Sequence, residues 1–507
     1  MDTTLPQTGA RPAPAADPAR PDPRRWWGLA VISLAQLMVV LDMTIVNIAL
    51  PSAQADLGIS DADRQWVITA YTLAFGGLLL LGGRIGDLIG RKRAMIIGLI
   101  GFAAASAIGG VAATGALLLG ARALQGVFAA LLAPAALSLV SVTFTEPHER
   151  ARAFGIYGAI AGGGSAVGLI LGGLLTEYLD WRWCLLVNAP IAILAVLGAS
   201  AFLHDQRKEA ETRLDVLGAV LASGGLLAIV YGLSEAEQHG WTSGFVLSLL
   251  AGGLVLLALF VVAETRVAHP LLPLRVLRDR NRAGALLSVG LTTVGMFGMF
   301  LFLTYYLQVT LGYSPVRTGL AFLPLTAGMM TGAVGIAARL LPRVPARMIM
   351  TPGLLVAATA LILLTRIEVD SSYVTHVLPS MVLLGIGMGS TFMPAMSTAT
   401  FGVEPRDAGV ASATVNTAQQ VGGSIGIALL NTVATSATAR YLTTHGSDPL
   451  AQAAGVVHGF SVAIWWAVAF LLTAAVAAAV LITARPAAVR AADDGAATSA
   501  EPVAVLV

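Results

Sequence analysis

Two charged residues stand where charge is costly. Asp42 is the one carboxylate in the stretch 26–55, which has no other Asp, Glu, Lys or Arg. Arg122 divides two uncharged stretches, 94–121 and 123–145. A charge at the centre of a bilayer costs about 3 kcal/mol, so a carboxylate kept there must face a cavity or a cation. At 1.5 Å per residue, Arg122 lies roughly 8 Å and Asp42 roughly 12 Å inside the outer ends of their helices, so a direct or water-bridged contact is within reach. A carboxylate held ionised by a guanidinium and pushed toward neutrality by burial can load and release a proton as its exposure changes. The plainer readings are an Asp solvated near the surface and an Arg snorkelling from a helix end.

Other chemistries are thinly represented. The two lysines, Lys92 and Lys208, each follow an Arg, so no Walker lysine exists and no G-x-x-x-x-G-K-[ST] loop binds ATP. The seven histidines show no metal-ligand spacing, and Cys184 is the single cysteine. HExxH and GxSxG are absent. An enzyme needs convergent nucleophiles or acid–base pairs, and this inventory points to secondary transport instead.

The elements that position Asp42 and Arg122 follow from composition. Only 11% of the 507 residues are charged, against about 25% in soluble proteins, and mean hydropathy is +0.80. Such a chain is an integral membrane protein. Thirteen further uncharged runs join 26–55: 65–83, 94–121, 123–145, 153–176, 183–204, 216–234, 238–263, 283–316, 318–338, 348–365, 371–403, 408–439 and 449–484. Runs of this length predict spanning helices rather than barrel strands. Fourteen helices of about 21 residues are expected, with twelve the nearest alternative. With the N-terminus placed in the cytoplasm, 23 of the 30 basic residues fall in inner segments. Only Arg64, Arg182, Arg317, Arg366 and Arg440 fall in outer loops. That bias is the positive-inside rule, and it puts both termini in the cytoplasm. Residues 1–25 read as a disordered arm rather than a signal peptide, and 485–507 as an Ala-rich disordered tail. Abundant Ala and 28 Arg among the 30 basic residues suggest a GC-rich bacterial genome.

Several motifs carry a resemblance. Gly83-Arg84-Ile85-Gly86-Asp87-Leu88-Ile89-Gly90-Arg91-Lys92-Arg93 could serve simply as a tight, topology-setting loop. It closely resembles the cytoplasmic loop of the major facilitator superfamily, matched at Gly83, Asp87, Gly90, Arg91 and Lys92. There the Asp and basic residues latch the inner side. Arg339, Arg343 and Arg347 form a degraded echo in the second half. The string Leu41-Asp42-Met43-Thr44-Ile45-Val46-Asn47-Ile48-Ala49-Leu50-Pro51 resembles the superfamily's fourteen-spanning drug:proton antiporters. Arg122, Gln125 and Gly126 match the family's R-x-x-q-G element, with Phe128 in place of its second glycine. Gly155, Gly164, Gly168, Gly172 and Gly173 match the antiporter motif, except that Leu169 replaces its proline. Spaced by four, Gly164, Gly168 and Gly172 share one helix face and allow close packing, as they would in any polytopic protein. Trp181-Arg182-Trp183 with Asn188 and Pro190 looks like the same family, as does Ala408–Ser412 ahead of Asn416, Gln419 and Gln420.

The resemblance spans about 27–484 and implies an all-α membrane protein of the major facilitator fold. It places six-helix halves at 26–204 and 283–484, with two extra helices and their flanking loops at 205–282. It implies export of hydrophobic drugs or antibiotics across the bacterial plasma membrane in exchange for protons, with Asp42 and Arg122 coupling the proton. No cofactor beyond the proton gradient is expected, nor any enzymatic activity or nucleic-acid partner; the partners are small hydrophobic substrates, protons and the bilayer, and the state a monomer. Substrate would bind near the midplane between the halves. The cavity residues assigned are Asn47, Gln125, Met299, Phe302, Asn416 and Gln420, although Asn416 and Gln420 equally suit an interhelical hydrogen-bond pair. Most aromatics near Met299, above all Tyr305 and Tyr306, read as lipid-facing or interfacial. Alternatives are an exporter of an endogenous metabolite, lipid or self-made antibiotic, a nutrient importer, and a membrane scaffold or sensor.

Overall fold

The computed structural model describes residues 24–144, 146–203, 215–267, 270–272, 274–400, 408–446 and 448–484. The arm through residue 23, the tail 485–507 and the segment 204–214 lie outside the described residues. Fourteen helices are long and apolar enough to cross a membrane. They are α1 Arg25–Leu57, α2 Trp66–Ile89, α3 Arg91–Gly110, α4 Gly115–Thr143, α5 Arg152–Tyr178, α6 Trp183–Phe202 and α7 Val216–Ala236. The others are α8 Gly244–Arg266, α9 Arg280–Thr310, α10 Pro315–Leu340, α11 Arg347–Leu364, α12 Tyr373–Thr400, α13 Ala411–His445 and α14 Pro449–Leu481. Among the described residues there is no strand.

Several helices outrun the expected length: α1, α9, α13 and α14 have 33, 31, 35 and 33 residues. An uncharged run measures the apolar slab, whereas a helix continues until something stops it. Gly58, Gly90 and Gly446 stop theirs by adopting left-handed φ values of 62°, 97° and 85°. Thr114, Ser243, Ser314 and Asp448 start α4, α8, α10 and α14 by accepting a hydrogen bond from an N–H of the first turn.

Helices α1–α6 pack around Ile32, Met38, Phe75, Leu99, Phe102 and Leu132. Helices α9–α14 pack around Phe302, Leu354, Leu361, Met388, Phe460 and Ile464, in a core that continues into Ile45, Ile48 and Leu50 of α1. Helix α7 lies across the seam between α2 and α13. Its Ser223 donates to Gly77 O at 3.0 Å, and its Leu233 carbonyl accepts from Thr432 at 3.0 Å. Helix α8 rests on α7. It is apolar on every side and leaves most of that surface unburied, as a lipid-facing helix does.

The bundle has a basic end, bearing Arg91, Lys92, Arg93, Arg280 and Arg282, and an acidic end, bearing Asp56, Asp61, Asp63, Glu177 and Glu368. At the acidic end the two bundles meet. Tyr305 of α9 donates to Gln54 of α1, Gln308 Nε2 to Ile48 O at 2.9 Å, and Asn431 Nδ2 to Asp61 O at 3.3 Å. Tyr305 and Tyr306 are 5% and 0% exposed, not interfacial, because α1 covers one and the Glu368 carbonyl accepts the hydroxyl of the other at 2.7 Å. Helix α5 presses on α10 there: a Cβ on Gly173 would sit 2.7 Å from Val316 Cα, and one on Gly319 2.3 Å from Leu169 O. Five helical turns nearer the basic end, the same face of α5 carries Gly155, where a Cβ would meet nothing within 4 Å. The contact of α5 with α10 therefore does not extend to Gly155 at the basic end.

Candidate functional site

The site is built by five of the first six helices. Asp42 from α1 and Arg122 from α4 are 0% and 1% exposed and form an ion pair of 2.6 Å between Oδ2 and Nη1. Both came to attention as charges in apolar stretches, and the packing brings them into direct contact. Arg122 also donates from Nε to Val67 O of α2 at 3.0 Å and from Nη1 to Gln125 Oε1 at 2.8 Å. Its guanidinium lies 4.5 Å from the ring centroid of Tyr71 on α2, a cation–π contact. A buried ion pair is tolerated only when its remaining polar groups are also satisfied.

The second carboxylate oxygen meets that condition. Asp42 Oδ1 accepts from Gln125 Nε2 at 2.9 Å and from Asn188 Nδ2 of α6 at 2.8 Å. Both amides turn their other N–H to Ser106 Oγ of α3, at 3.0 and 2.9 Å, and Ser106 in turn donates to Leu185 O at 2.8 Å. Asp42 thus accepts hydrogen bonds from three donors, one on Oδ2 and two on Oδ1. An apolar pocket lined by Val46, Ala49, Leu118 and Cys184 lies against Arg122.

Helix α5 gives this cluster no polar group but holds the helix that carries it. A Cβ on Gly164 would sit 3.0 Å from Leu37, one on Gly168 2.0 Å from Thr44 Oγ1, and one on Gly172 3.0 Å from Ile45 O. These glycines bring α5 against the turns of α1 on either side of Asp42. With Leu169 in the proline position, α5 stays helical, and the Leu169 carbonyl is the group that approaches Gly319.

The other sequence-selected residues are scattered. Gln125, assigned to the substrate cavity, belongs to the Asp42 cluster. Asn47 donates to Met43 O at 2.8 Å, one turn from Asp42, and leaves its Oδ1 buried without a partner. Gln420 of α13 is buried and reaches across the seam to Met43 Sδ at 3.9 Å. Asn416 donates to Ser412 O of its own helix at 3.4 Å, so the two amides do not form a mutual pair. Met299 and Phe302 are buried inside the second bundle, where Phe302 stacks on Phe460 at 4.9 Å between centroids. Both point away from the seam because α9 turns that face to the core of its own bundle. Sequence reasoning noticed Asn188 without giving it a role and missed Ser106 and Tyr71. The available signal for Asn188 was a lone amide among the apolar residues of Cys184–Ile193.

At the basic end Gly90, with φ 97°, turns the chain between α2 and α3. Asp87 and Arg91 pair at 3.5 Å. Lys92 donates to Ser200 O at 3.0 Å and Leu203 O at 2.6 Å, capping the end of α6. Gly83 faces Pro134 of α4, 3.5 Å from where its Cβ would be.

Residues 32–427 match the family described as Major Facilitator Superfamily. The chain is 57% identical to the puromycin resistance protein pur8 of Streptomyces alboniger, over 98% of each chain. It is 41% identical to the cephamycin export protein CmcT of Amycolatopsis lactamdurans, over 81% of this chain and 85% of that one. Among solved structures, a bacterial homolog to the human lysosomal transporter Spinster, inward-facing and unoccupied, superposes with TM-score 0.66. Its identity is 16%, over 91% of this chain and 97% of that chain, a likeness of fold. This multi-pass protein is a transporter rather than an enzyme, and it belongs to the major facilitator superfamily.

Proposed function

We propose that the protein exports small hydrophobic antibiotics or drugs across a bacterial plasma membrane in exchange for protons. The observation that carries the reading is the fully buried Asp42, paired with Arg122 on the turns that α5 grips. The basic end is the cytoplasmic one, with both termini on that side. With the bundles parted there, Asp42 is ionised and the cavity takes substrate from the cell. Rocking the bundles closes the basic end and opens the acidic end. A proton arriving from outside neutralises Asp42, and Arg122 falls back on Val67 O, Gln125 Oε1 and the Tyr71 ring. Return to the first state carries the proton inward. Asn47, Asn416 and Gln420, close to the α1–α13 seam, touch substrate, and the Gly83–Lys92 loop latches the basic end once it closes. Relatives named for puromycin resistance and cephamycin export support an antibiotic cargo, including one the host makes itself.

The test is puromycin uptake into everted membrane vesicles under an imposed proton gradient. Wild type accumulates the drug and draws down the gradient. Asp42→Asn, which keeps the shape and loses the charge, is expected to reduce gradient-driven accumulation at least about tenfold, a loss of the coupled step rather than of binding alone. Full gradient-driven uptake by that variant overturns the coupling role of Asp42.

A further inference from the structure

A second pair of acidic groups lies far from Asp42, at the basic ends of α7 and α8. Asp215 and Glu264 are 6% and 4% exposed. One oxygen of each has an ordinary duty. Asp215 Oδ1 caps α7 by accepting the Gly218 N–H at 2.8 Å, and Glu264 Oε2 accepts the Leu272 N–H at 3.0 Å. The other two oxygens, Asp215 Oδ2 and Glu264 Oε1, are buried without a hydrogen-bond partner among the described residues. They converge on one point above Gly218, lying 2.5 and 2.8 Å from where a Cβ on that residue would be.

Ionised carboxylates only accept hydrogen bonds, so two of them facing each other away from water have nothing to share except a proton. Among the described residues, the charges on the neighbouring elements offer no substitute; Arg275 and Arg278, which follow Leu272 in the chain, are exposed. Arg84 of α2 is committed to Pro270 O at 2.9 Å, and Arg266 of α8 is exposed. Glu235 pairs with His239 at the acidic end of the α7 helix, and on α13 Arg440 and His445 are also at that end. We infer that Asp215 and Glu264 form a proton-binding site in which one proton is held between Asp215 Oδ2 and Glu264 Oε1.

The site has a mechanical reach. Leu272, held by Glu264, and Pro270, held by Arg84, are two residues apart on one short strap. The bound proton therefore keeps α7 and α8 clipped to the basic end of α2, within the Gly83–Arg93 segment. Loss of the proton sets two like charges against each other and loosens the strap. This makes the extra hairpin a sensor of pH on the basic side, separate from the proton carried by Asp42.

The experiment is infrared difference spectroscopy on the purified full-length protein in lipid nanodiscs, titrated in light and heavy water. Wild type at neutral pH is expected to show the carbonyl band of one protonated carboxylic acid, fading as pH rises. Asp215→Asn and Glu264→Gln should each abolish it, and Asp42→Asn should leave it intact. Thermal unfolding across pH is the second readout. The pair binds a proton when folded that free Asp and Glu release above about pH 4, so wild-type stability falls as pH rises through its titration. The same fall should vanish in Asp215→Asn, where an amide supplies the shared hydrogen. A band absent from wild type, a band surviving in both pair variants, or identical pH profiles in wild type and Asp215→Asn overturns the site.

Discussion

The two six-helix bundles differ in how they satisfy their most buried polar side chains. In the first, Asp42, Ser106, Arg122, Gln125 and Asn188 reach across helices to one another. In the second, most buried hydroxyls bond back along their own helices, as Thr292 does to Ser288 O, Thr293 to Val289 O, Thr391 to Gly387 O and Thr398 to Pro394 O. Among the described residues, those that also reach another helix of the same bundle, such as Ser288 to Ala474 O and Ser390 to Gly332 O, meet only a backbone carbonyl there. Among the described residues of α9–α14 no charged side chain is buried. A network spread over several helices makes the arrangement of those helices depend on its protonation, whereas hydroxyls bonded within one helix leave that helix free to move as a body. On the coupling proposed above, the first bundle is the half whose packing a proton changes, and the second is the body it moves against.

The largest break in that contrast is Arg122→Leu. It strands the Asp42 carboxylate in a dry site, where loss of one partner of a buried pair costs about 3–5 kcal/mol. Thermal unfolding in detergent should show that loss, and transport should cease. Adding Asp42→Leu removes the orphaned charge and should restore most of the stability without restoring transport. A single variant as stable as wild type would mean that Asp42 already finds a proton or another partner there.

A smaller effect separates two glycines of one motif. A Cβ on Gly168 would sit 2.0 Å from Thr44 Oγ1 and 3.1 Å from Leu41 O, so Gly168→Ala is expected to cost about 1–3 kcal/mol by forcing α5 off α1. A Cβ on Gly155 meets nothing within 4 Å, and Gly155→Ala should raise stability by up to about 1 kcal/mol through helix propensity alone. The same melting curves check both. Equal effects at the two positions would mean that α5 does not meet α1 and α10 in the way described.

What sequence could reveal follows the same contrast. Asp42 and Arg122 were legible because a charge in an apolar run is costly whatever surrounds it. Asn188 and Ser106 were not, because neutral polar residues are common in spanning helices and only packing decides which of them meet. Tyr305 and Tyr306 carried the pattern of an interfacial belt, yet the meeting of the bundles at the acidic end buries them. Met299 and Phe302 sit on a helix apolar on most sides, so hydropathy could not separate the seam from the face toward α14. The fourteen spans were legible for a simpler reason: the bilayer requires long uncharged runs, and this chain has few charges to interrupt them.

The smallest effect is the sharpest test of the difference between the bundles. Ser106 and Thr292 are both fully buried hydroxyls in apolar helices. Ser106 accepts from Gln125 and Asn188 and donates to Leu185 O, so Ser106→Ala leaves two amide N–H groups unmatched, at about 1.5 kcal/mol. Thr292 bonds to Ser288 O, a carbonyl that the helix ladder already satisfies, so Thr292→Val should cost about 0.6 kcal/mol or less. The gap should widen in transport, since Ser106 holds the amides that orient Asp42 and Thr292 touches nothing in that cluster. Gradient-driven uptake should therefore fall for Ser106→Ala and stay near wild type for Thr292→Val. If both variants lose stability and uptake alike, the second bundle also depends on its buried hydroxyls, and coupling cannot be assigned to the first bundle alone.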